Sequence, residues 1–251
     1  MIRALALAIL VAISAAGSTL AQVPAADRSR ADQWLFGLDG FGALPVGDFK
    51  HYENGGGGGE LMLGYQMWRR QPAIIRFQAG GLLYSKVDAV TYQDVCDFFG
   101  CTTEEVRYNA RDHAMYFVHL GPELMATDGI WRPYAYALVG YTFFNSTSHL
   151  PPSDLLPDQP SENLFSSHNF SSVYGLGIRR VTTRLGRENG FELGFNVTRN
   201  AKARYLNERG ITQNSDGTFT IRPHEGAANV LGIHLGFWVG PNVRYWERRI
   251  R

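Results

Sequence analysis

The chain has 251 residues, of which 45% are hydrophobic and 19% are charged, a composition of folded domains and not of disordered chains. Its 24 lysines and arginines nearly balance 23 aspartates and glutamates, which argues against a partner bound mainly through charge, such as nucleic acid. The 28 glycines and 11 prolines would interrupt helices repeatedly, because a glycine inside a helix costs roughly 1 kcal/mol relative to alanine. Strands joined by turns are therefore predicted.

Residues 1–21 predict a cleaved secretory signal. Arg3 precedes an apolar core from Ala4 to Ala16, and Thr19-Leu20-Ala21 places small residues where a signal peptidase cuts before Gln22. A transmembrane anchor is the alternative, but this apolar core is shorter than the ~20 residues of a spanning helix. Residues 22–33 are polar and without periodicity, so we interpret them as a periplasmic leader.

Eight segments that follow alternate apolar and polar side chains with a period of two, which predicts β-strands with two different faces. One face is aliphatic and aromatic, whereas the other carries glycine, glutamine, asparagine, histidine and a few charges. The alternation alone leaves open which face is outside, because a soluble ligand-binding barrel and a membrane barrel are inverses of each other. The segments are residues 34–41, 60–68, 73–85, 113–125, 132–145, 170–180, 190–198 and 229–239.

The connections between these segments alternate between short and long, so all long loops are expected at one end of the sheet. Membrane barrels have this asymmetry, with short periplasmic turns and long external loops. The predicted fold is an all-β, eight-stranded, antiparallel up-and-down transmembrane barrel over residues 34–240, with four long, structureless extracellular loops and a basic tail at 241–251. Eight strands enclose side chains and no aqueous channel.

Two parts of the chain resemble a known family. The run from Phe36 to Phe49, a strand leading into a Pro-x-Gly-x-Phe loop, and the glycine-rich strand around Gly64-Tyr65 resemble the bacterial outer membrane protein β-barrel domain family, of the OmpA-like and OmpX-like type. The last strand resembles the C-terminal assembly signal of such proteins, although here a tail continues beyond it. The positions that match this signal are Gly232, Leu235 and Phe237.

This resemblance covers residues 34–240 and implies a location in the cell outer membrane of a Gram-negative bacterium. It also implies outer-membrane lipid, lipopolysaccharide and the barrel assembly machinery as partners. The family does not imply one activity, since many members have none assigned.

Cys96 and Cys101 lie five residues apart in one predicted loop of an exported chain, which favours a local disulfide over a redox pair of C-x-x-C type. Acidic residues around them lack the spacing of a calcium-binding loop, and we interpret the segment as a solvated acidic loop. The run from Gly55 to Gly59 is predicted to be a flexible loop. The sequence predicts no cofactor and no metal site.

Ionisable residues on the glycine-rich face predict a polar network inside the barrel. Its members are Asp39, Arg76, His119, Glu123, Arg179, Glu192 and His234. Counted from the short-turn end, Arg76 and Glu123 lie at one depth and Arg179 and Glu192 at another, which predicts two ion pairs. Asp39 and His234 are expected to face each other across the seam between the first and last strands. The alternative is that strand shear separates these groups and water hydrates each one.

The sequence favours a structural or surface-interaction role without catalysis, in which the loops contact environmental surfaces or host ligands. One alternative is a lipid A-modifying barrel enzyme, which needs a serine activated by a histidine on the outer wall. Ser166-Ser167-His168 is the adjacent cluster of these residue types. A soluble periplasmic barrel that binds a small apolar ligand is the other alternative.

Overall fold

The computed structural model describes residues 33–51, 55–66, 73–97, 100–149, 161–184, 187–206, 211–213 and 219–242. The predicted signal, most of the leader and most of the basic tail lie outside the described residues, so their boundaries stay predictions. Among the residues described, no helix is both long enough and apolar enough to cross a membrane.

Eight antiparallel strands form the wall of a closed barrel, in which chain neighbours are also spatial neighbours and the last strand pairs with the first. This confirms the predicted eight-stranded antiparallel barrel. In each strand, the residues that share a face are those predicted to do so, because a period of two identifies a strand whichever face is buried. The wall strands are β1 (Trp34–Val46), β2 (Gly56–Gln66), β3 (Ala73–Asp97), β4 (Gly100–Met125), β5 (Trp131–His149), β6 (Ser161–Arg184), β7 (Arg187–Asn200) and β12 (Asn229–Asn242).

Shorter elements lie near the outer end of the barrel. A 3-10 helix (Gly47–His51) follows β1, and four short strands lie between β7 and β12. Strand β8 (Lys202–Tyr205) pairs with β11 (His224–Ala227), and β9 (Ile211–Gln213) pairs with β10 (Phe219–Ile221).

The prediction of four structureless loops is wrong. Strands β3 and β4 remain paired up to Asp97 and Gly100, and β5 and β6 remain paired up to His149 and Ser161. The last long connection contains the short strands β8 to β11. Hydrophobic periodicity did not reveal these extensions, because their sequence lacks the sustained alternation of apolar and polar residues that predicts a strand with two different faces.

The glycine run after residue 54 is also part of the wall, contrary to the predicted flexible loop. Gly56 to Gly59 form the first residues of β2, between β1 and β3. A Cβ atom at Gly58 would lie 1.9 Å from the carbonyl oxygen of Gly81, so backbones approach here more closely than any side chain permits.

The outward face of the wall is a belt of exposed aliphatic and aromatic side chains, with Leu38 and Leu61 as typical members at 63% and 62% exposure. Aromatic residues border this belt at both ends. Trp131 lies at the short-turn end of β5, and Tyr141 lies ten residues further along the same strand. At about 3.3 Å per residue and a tilt of about 40°, this separation is about 25 Å along the barrel axis, the height of the apolar band of a membrane barrel.

Candidate functional site

One layer of ionisable side chains crosses the interior of the barrel. Seven of the eight wall strands each contribute one member, and each member is at most 2% exposed. The members, in strand order, are Asp39, Glu60, Arg76, Glu123, Arg179, Glu192 and His234. We term this layer the ionic ring. Strand β5 contributes Tyr134 and Tyr136, whose rings lie against the two arginines of the ionic ring.

Glu123 joins the two arginines of the ionic ring. Arg76 Nη1 donates to Glu123 Oε2 over 2.9 Å, and Arg179 Nη2 donates to the same oxygen over 3.1 Å. Arg179 Nη1 also donates to Glu123 Oε1. Since the register places Glu123 opposite Ile74, Arg76 reaches this carboxylate diagonally across β3 and β4. The expected pairing of Arg76 with Glu123 is thus one part of a three-residue contact.

Arg179 lies directly opposite Glu192 on β6 and β7, and its Nε donates to Glu192 Oε2 over 2.5 Å. Its guanidinium carbon lies 4.4 Å from the centre of the Tyr134 ring, while that of Arg76 lies 4.3 Å from the Tyr136 ring. Cation–π contacts of this kind add to the ion pairs in stabilising a buried guanidinium.

The seam between β1 and β12 continues the ring. His234 Nδ1 lies 3.3 Å from Asp39 Oδ2 and 3.9 Å from Glu60 Oε1. Glu60 Oε1 in turn lies 3.5 Å from Arg76 Nη2, and Gln78 Nε2 donates to Glu60 Oε2 over 2.5 Å. Asp39 and His234 therefore face each other across the seam, within a larger set of contacts.

Gly236 leaves room for Asp39 and Glu192 to approach each other from the two strands that flank β12. Asp39 on β1 and Glu192 on β7 both lie opposite Gly236 of β12, one on each side. A Cβ atom at Gly236 would lie 1.5 Å from Asp39 Oδ1, so the carboxylate occupies the space that a side chain would fill. Asp39, Glu192 and His234 each present a ligand atom within 4.8 Å of the other two.

The ionic ring contains more negative than positive groups. Four carboxylates share the layer with two guanidiniums and the His234 imidazole. Several atoms of these groups have no hydrogen-bond partner among the residues described: Asp39 Oδ1, Glu60 Oε1, Arg76 Nε, Arg76 Nη2, Glu192 Oε1 and His234 Nε2. Burying an ion without a counter-charge costs several kcal/mol, so this imbalance is the principal electrostatic feature of the interior.

A separate polar layer lies closer to the outer end. His119 Nε2 lies 2.8 Å from Ser171 Oγ, which also accepts a hydrogen bond from Thr142 Oγ1 over 2.9 Å. His119, expected in the same network as the charged residues, contacts this layer and not the ionic ring. A cavity of about 20 Å³, with room for about one water molecule, lies between the layers and is lined by Glu60, Gln78 and His119.

The sequence analysis did not include Glu60 in the polar network or Trp238 beside it. Glu60 has inward parity on β2, and its partners lie on β3 and β12. Trp238 shares the parity of Gly236, is fully buried, and has its ring 5.7 Å from the Arg179 guanidinium. In both cases the inward parity of the residue on its strand was the sequence signal that could have identified it.

The remaining predicted residues lie on the wall or its extensions. Gly232 is buried, whereas Leu235 and Phe237 face outward on β12, and their role in assembly stays a prediction. The backbone register places Cys96 opposite Cys101, but their side chains lie outside the described part of the chain.

The serine–histidine cluster that the enzyme alternative would need does not form a dyad. Ser166 and His168 are exposed on one face of β6, and no hydrogen bond joins them within the described structure. Ser167 between them donates instead to the Arg204 carbonyl oxygen. The described geometry therefore contains no activated serine at this position.

No protein-family model matches the chain, and no curated protein is similar to it in sequence. Solved structures with a similar fold include Neisserial surface protein A, with TM-score 0.44 and 10% identity over 82% of this chain and 94% of that chain. Ail of Yersinia pestis has TM-score 0.42 and 12% identity over 83% and 97%. A major outer membrane protein of Thermus thermophilus has TM-score 0.39 and 14% identity over 82% and 98%.

The location follows from the barrel itself. A closed antiparallel wall, an exposed apolar belt and aromatic borders are features of the barrels that span bacterial outer membranes. The chain is an outer-membrane β-barrel. A soluble barrel would present polar side chains outward, so the periplasmic ligand-binding alternative is wrong.

Proposed function

We propose that this outer-membrane barrel has a plugged interior and serves a structural or surface-contact role without catalysis. The observation that carries the proposal is the complete burial of the ionic ring within the lumen. Large side chains pack on both sides of that layer. The inner group includes Leu35, Ile74, Met125 and Trp238, and the outer group includes Phe49, Tyr84, Phe144 and Tyr205.

The packing of the outer group supports closure of the barrel mouth by the connections between its strands. Phe49 of the 3-10 helix lies 5.5 Å from Tyr84 of β3 and 4.9 Å from Tyr205 of β8, measured between ring centres. These residues come from separate connections and from the wall, so they pack as one apolar cluster above the ring. A side-chain-filled lumen of this kind leaves no continuous path for ions.

The extension of β3 and β4 supports a contact role on the outer side. β3 continues for fourteen residues from Leu83, at the level of the outer aromatic border, to Asp97. At about 3.3 Å per residue this is roughly 45 Å of strand, enough to project beyond the lipid headgroups. Lipopolysaccharide, environmental surfaces or host ligands would meet this extension first, and the barrel assembly machinery would meet the wall during insertion.

Three measurements on one protein test the plugged outer-membrane barrel. The mature chain should be recovered with the outer membrane, should migrate differently on gels before and after boiling, and should give no stable conductance in planar bilayers. Reproducible steps on the nanosiemens scale from the monomer would contradict a plugged lumen. Recovery in the soluble periplasm would contradict the membrane location.

A hairpin truncation separates a structural role from a contact role. Cells that lack the protein are compared with cells carrying the full chain or a variant with residues 88–109 replaced by a short turn. Detergent sensitivity reports membrane integrity, and attachment to lipopolysaccharide-coated or matrix-coated surfaces reports contact. Loss of attachment only in the truncation supports contact, and rescue of integrity by both chains supports the structural role. No change in either measurement on deletion would overturn the proposal, as would an altered lipid A mass spectrum that depends on the protein.

A further inference from the structure

We propose that Asp39, Glu192 and His234 bind one divalent metal ion of the zinc class inside the barrel. This inference is independent of any contact role of the outer loops. The site lies where the three neighbouring strands β1, β12 and β7 bring these side chains together.

The backbone register builds the site around a glycine. Asp39 and Glu192 lean over Gly236 from the strands on either side, and His234 lies two residues earlier on the inward face of β12. One ligand atom from each of the three side chains lies within 4.8 Å of the other two. Tetrahedral ligands about 2.0 Å from zinc lie about 3.3 Å from one another, so small side-chain rotations bring this set to coordination distance.

Two carboxylate oxygens of the site are buried and available. Asp39 Oδ1 and Glu192 Oε1 have no hydrogen-bond partner among the described residues, and their side chains are at most 1% exposed. Buried polar atoms without partners are rare in folded proteins. The two carboxylates flank Gly236 from its neighbouring strands, and His234 Nδ1 lies 3.3 Å from Asp39 Oδ2, so an ion bound between the three side chains would supply the partner that the two oxygens lack.

The composition of the surrounding layer favours a cation. Four carboxyl side chains share the layer with two guanidiniums, so acidic groups outnumber the permanently positive ones. A bound divalent cation would add positive charge to this layer. The ligand set of one imidazole nitrogen and two carboxylate oxygens suits zinc, whereas magnesium and calcium prefer oxygen ligands alone.

The lumen is filled on both sides of the site, so the ion is expected to enter while the barrel folds. The test uses the mature chain without an affinity tag, refolded from urea into detergent with equimolar Zn²⁺ or with a chelator. After gel filtration, the folded fraction is verified by its migration before and after boiling, and its zinc content is measured by mass spectrometry. About one zinc per folded chain is expected after refolding with Zn²⁺.

The variants are Asp39→Asn, Glu192→Gln and His234→Gln, each expected to lower the zinc content roughly tenfold or more. His119→Gln is the matched control, because His119 is equally buried in the same lumen but contacts Ser171 instead. It should retain the full zinc content, and any weak binding by surface histidines is common to all the variants.

Refolding with Co²⁺ gives a second measurement that depends only on the natural chain. Tetrahedral cobalt with nitrogen and oxygen ligands absorbs far more strongly in the visible range than hydrated cobalt. A folded natural chain with no zinc above the His234→Gln level and no such cobalt spectrum would overturn the proposal. Folded variants that keep the full zinc content would overturn it equally.

Discussion

Arg179 and Glu192 lie directly opposite each other across β6 and β7, with Arg179 Nε 2.5 Å from Glu192 Oε2. Because Arg179 also binds both oxygens of Glu123, its loss would leave two buried carboxylates without their main counter-charge. Arg179→Met should therefore lower the free energy of unfolding by roughly 3 to 5 kcal/mol. Urea unfolding of the barrel in detergent or lipid, with a chelator present, measures this change.

Arg180→Met is the control for that experiment. Arg180 is the next residue on β6, faces outward, and lies 6.0 Å from the Trp131 ring. The same chemical change on the outer face should alter the unfolding free energy by less than about 1 kcal/mol. If the two variants lost equal free energy of unfolding, the contacts of Arg179 in the ionic ring would not be the cause of its loss.

Arg76 and Glu123 are coupled by one hydrogen-bonded ion pair, and a double-mutant cycle isolates its energy. Arg76→Met should cost more than Glu123→Gln, since the layer already contains more carboxylates than guanidiniums. The double variant should cost less than the sum of the single variants, by about 1 to 3 kcal/mol. Additive losses, with coupling below about 0.5 kcal/mol, would refute the pair.

Gly236→Ala tests the space at the seam. The new Cβ atom would displace the Asp39 carboxylate from its position beside His234, and overpacking of this kind costs about 1 to 3 kcal/mol. Gly42→Ala is the matched control, because no atom lies within 4 Å of its Cβ position on the same strand pair. Unfolding midpoints that fall equally in the two variants would contradict the close approach of Asp39.

Cys96 and Cys101 stay predicted to form a disulfide. Opposed residues of antiparallel strands have Cα atoms about 4.5 or 5.5 Å apart, a separation that a disulfide spans. Thiol labelling of the unreduced exported protein should detect no free thiol, and Cys96→Ser should leave the barrel assembled. Labelling of both cysteines in the native protein would exclude the bond.

The alternation of apolar and polar residues predicted the wall strands and the direction of their side chains. It did so because alternate residues face lipid, which favours apolar side chains, and the lumen, which accepts polar ones. The ends of β3 and β4 were not predicted, because the alternation of apolar and polar residues is not sustained between the two predicted segments. Depth counting predicted contacts across short turns, such as Arg179 with Glu192. It could not predict that Glu60 joins Arg76 to His234, because those distances depend on barrel shear and on the room left by glycine.

The seam contact between Asp39 and His234 joins residues 195 positions apart in the chain. Until β12 is in place, the carboxylates of β1 and β2 belong to an open sheet whose polar face has no opposite wall. An open edge also exposes unpaired backbone groups, which the hydrocarbon core does not tolerate. Pairing of β12 with β1 therefore removes the open edge and completes the ionic ring in the same step.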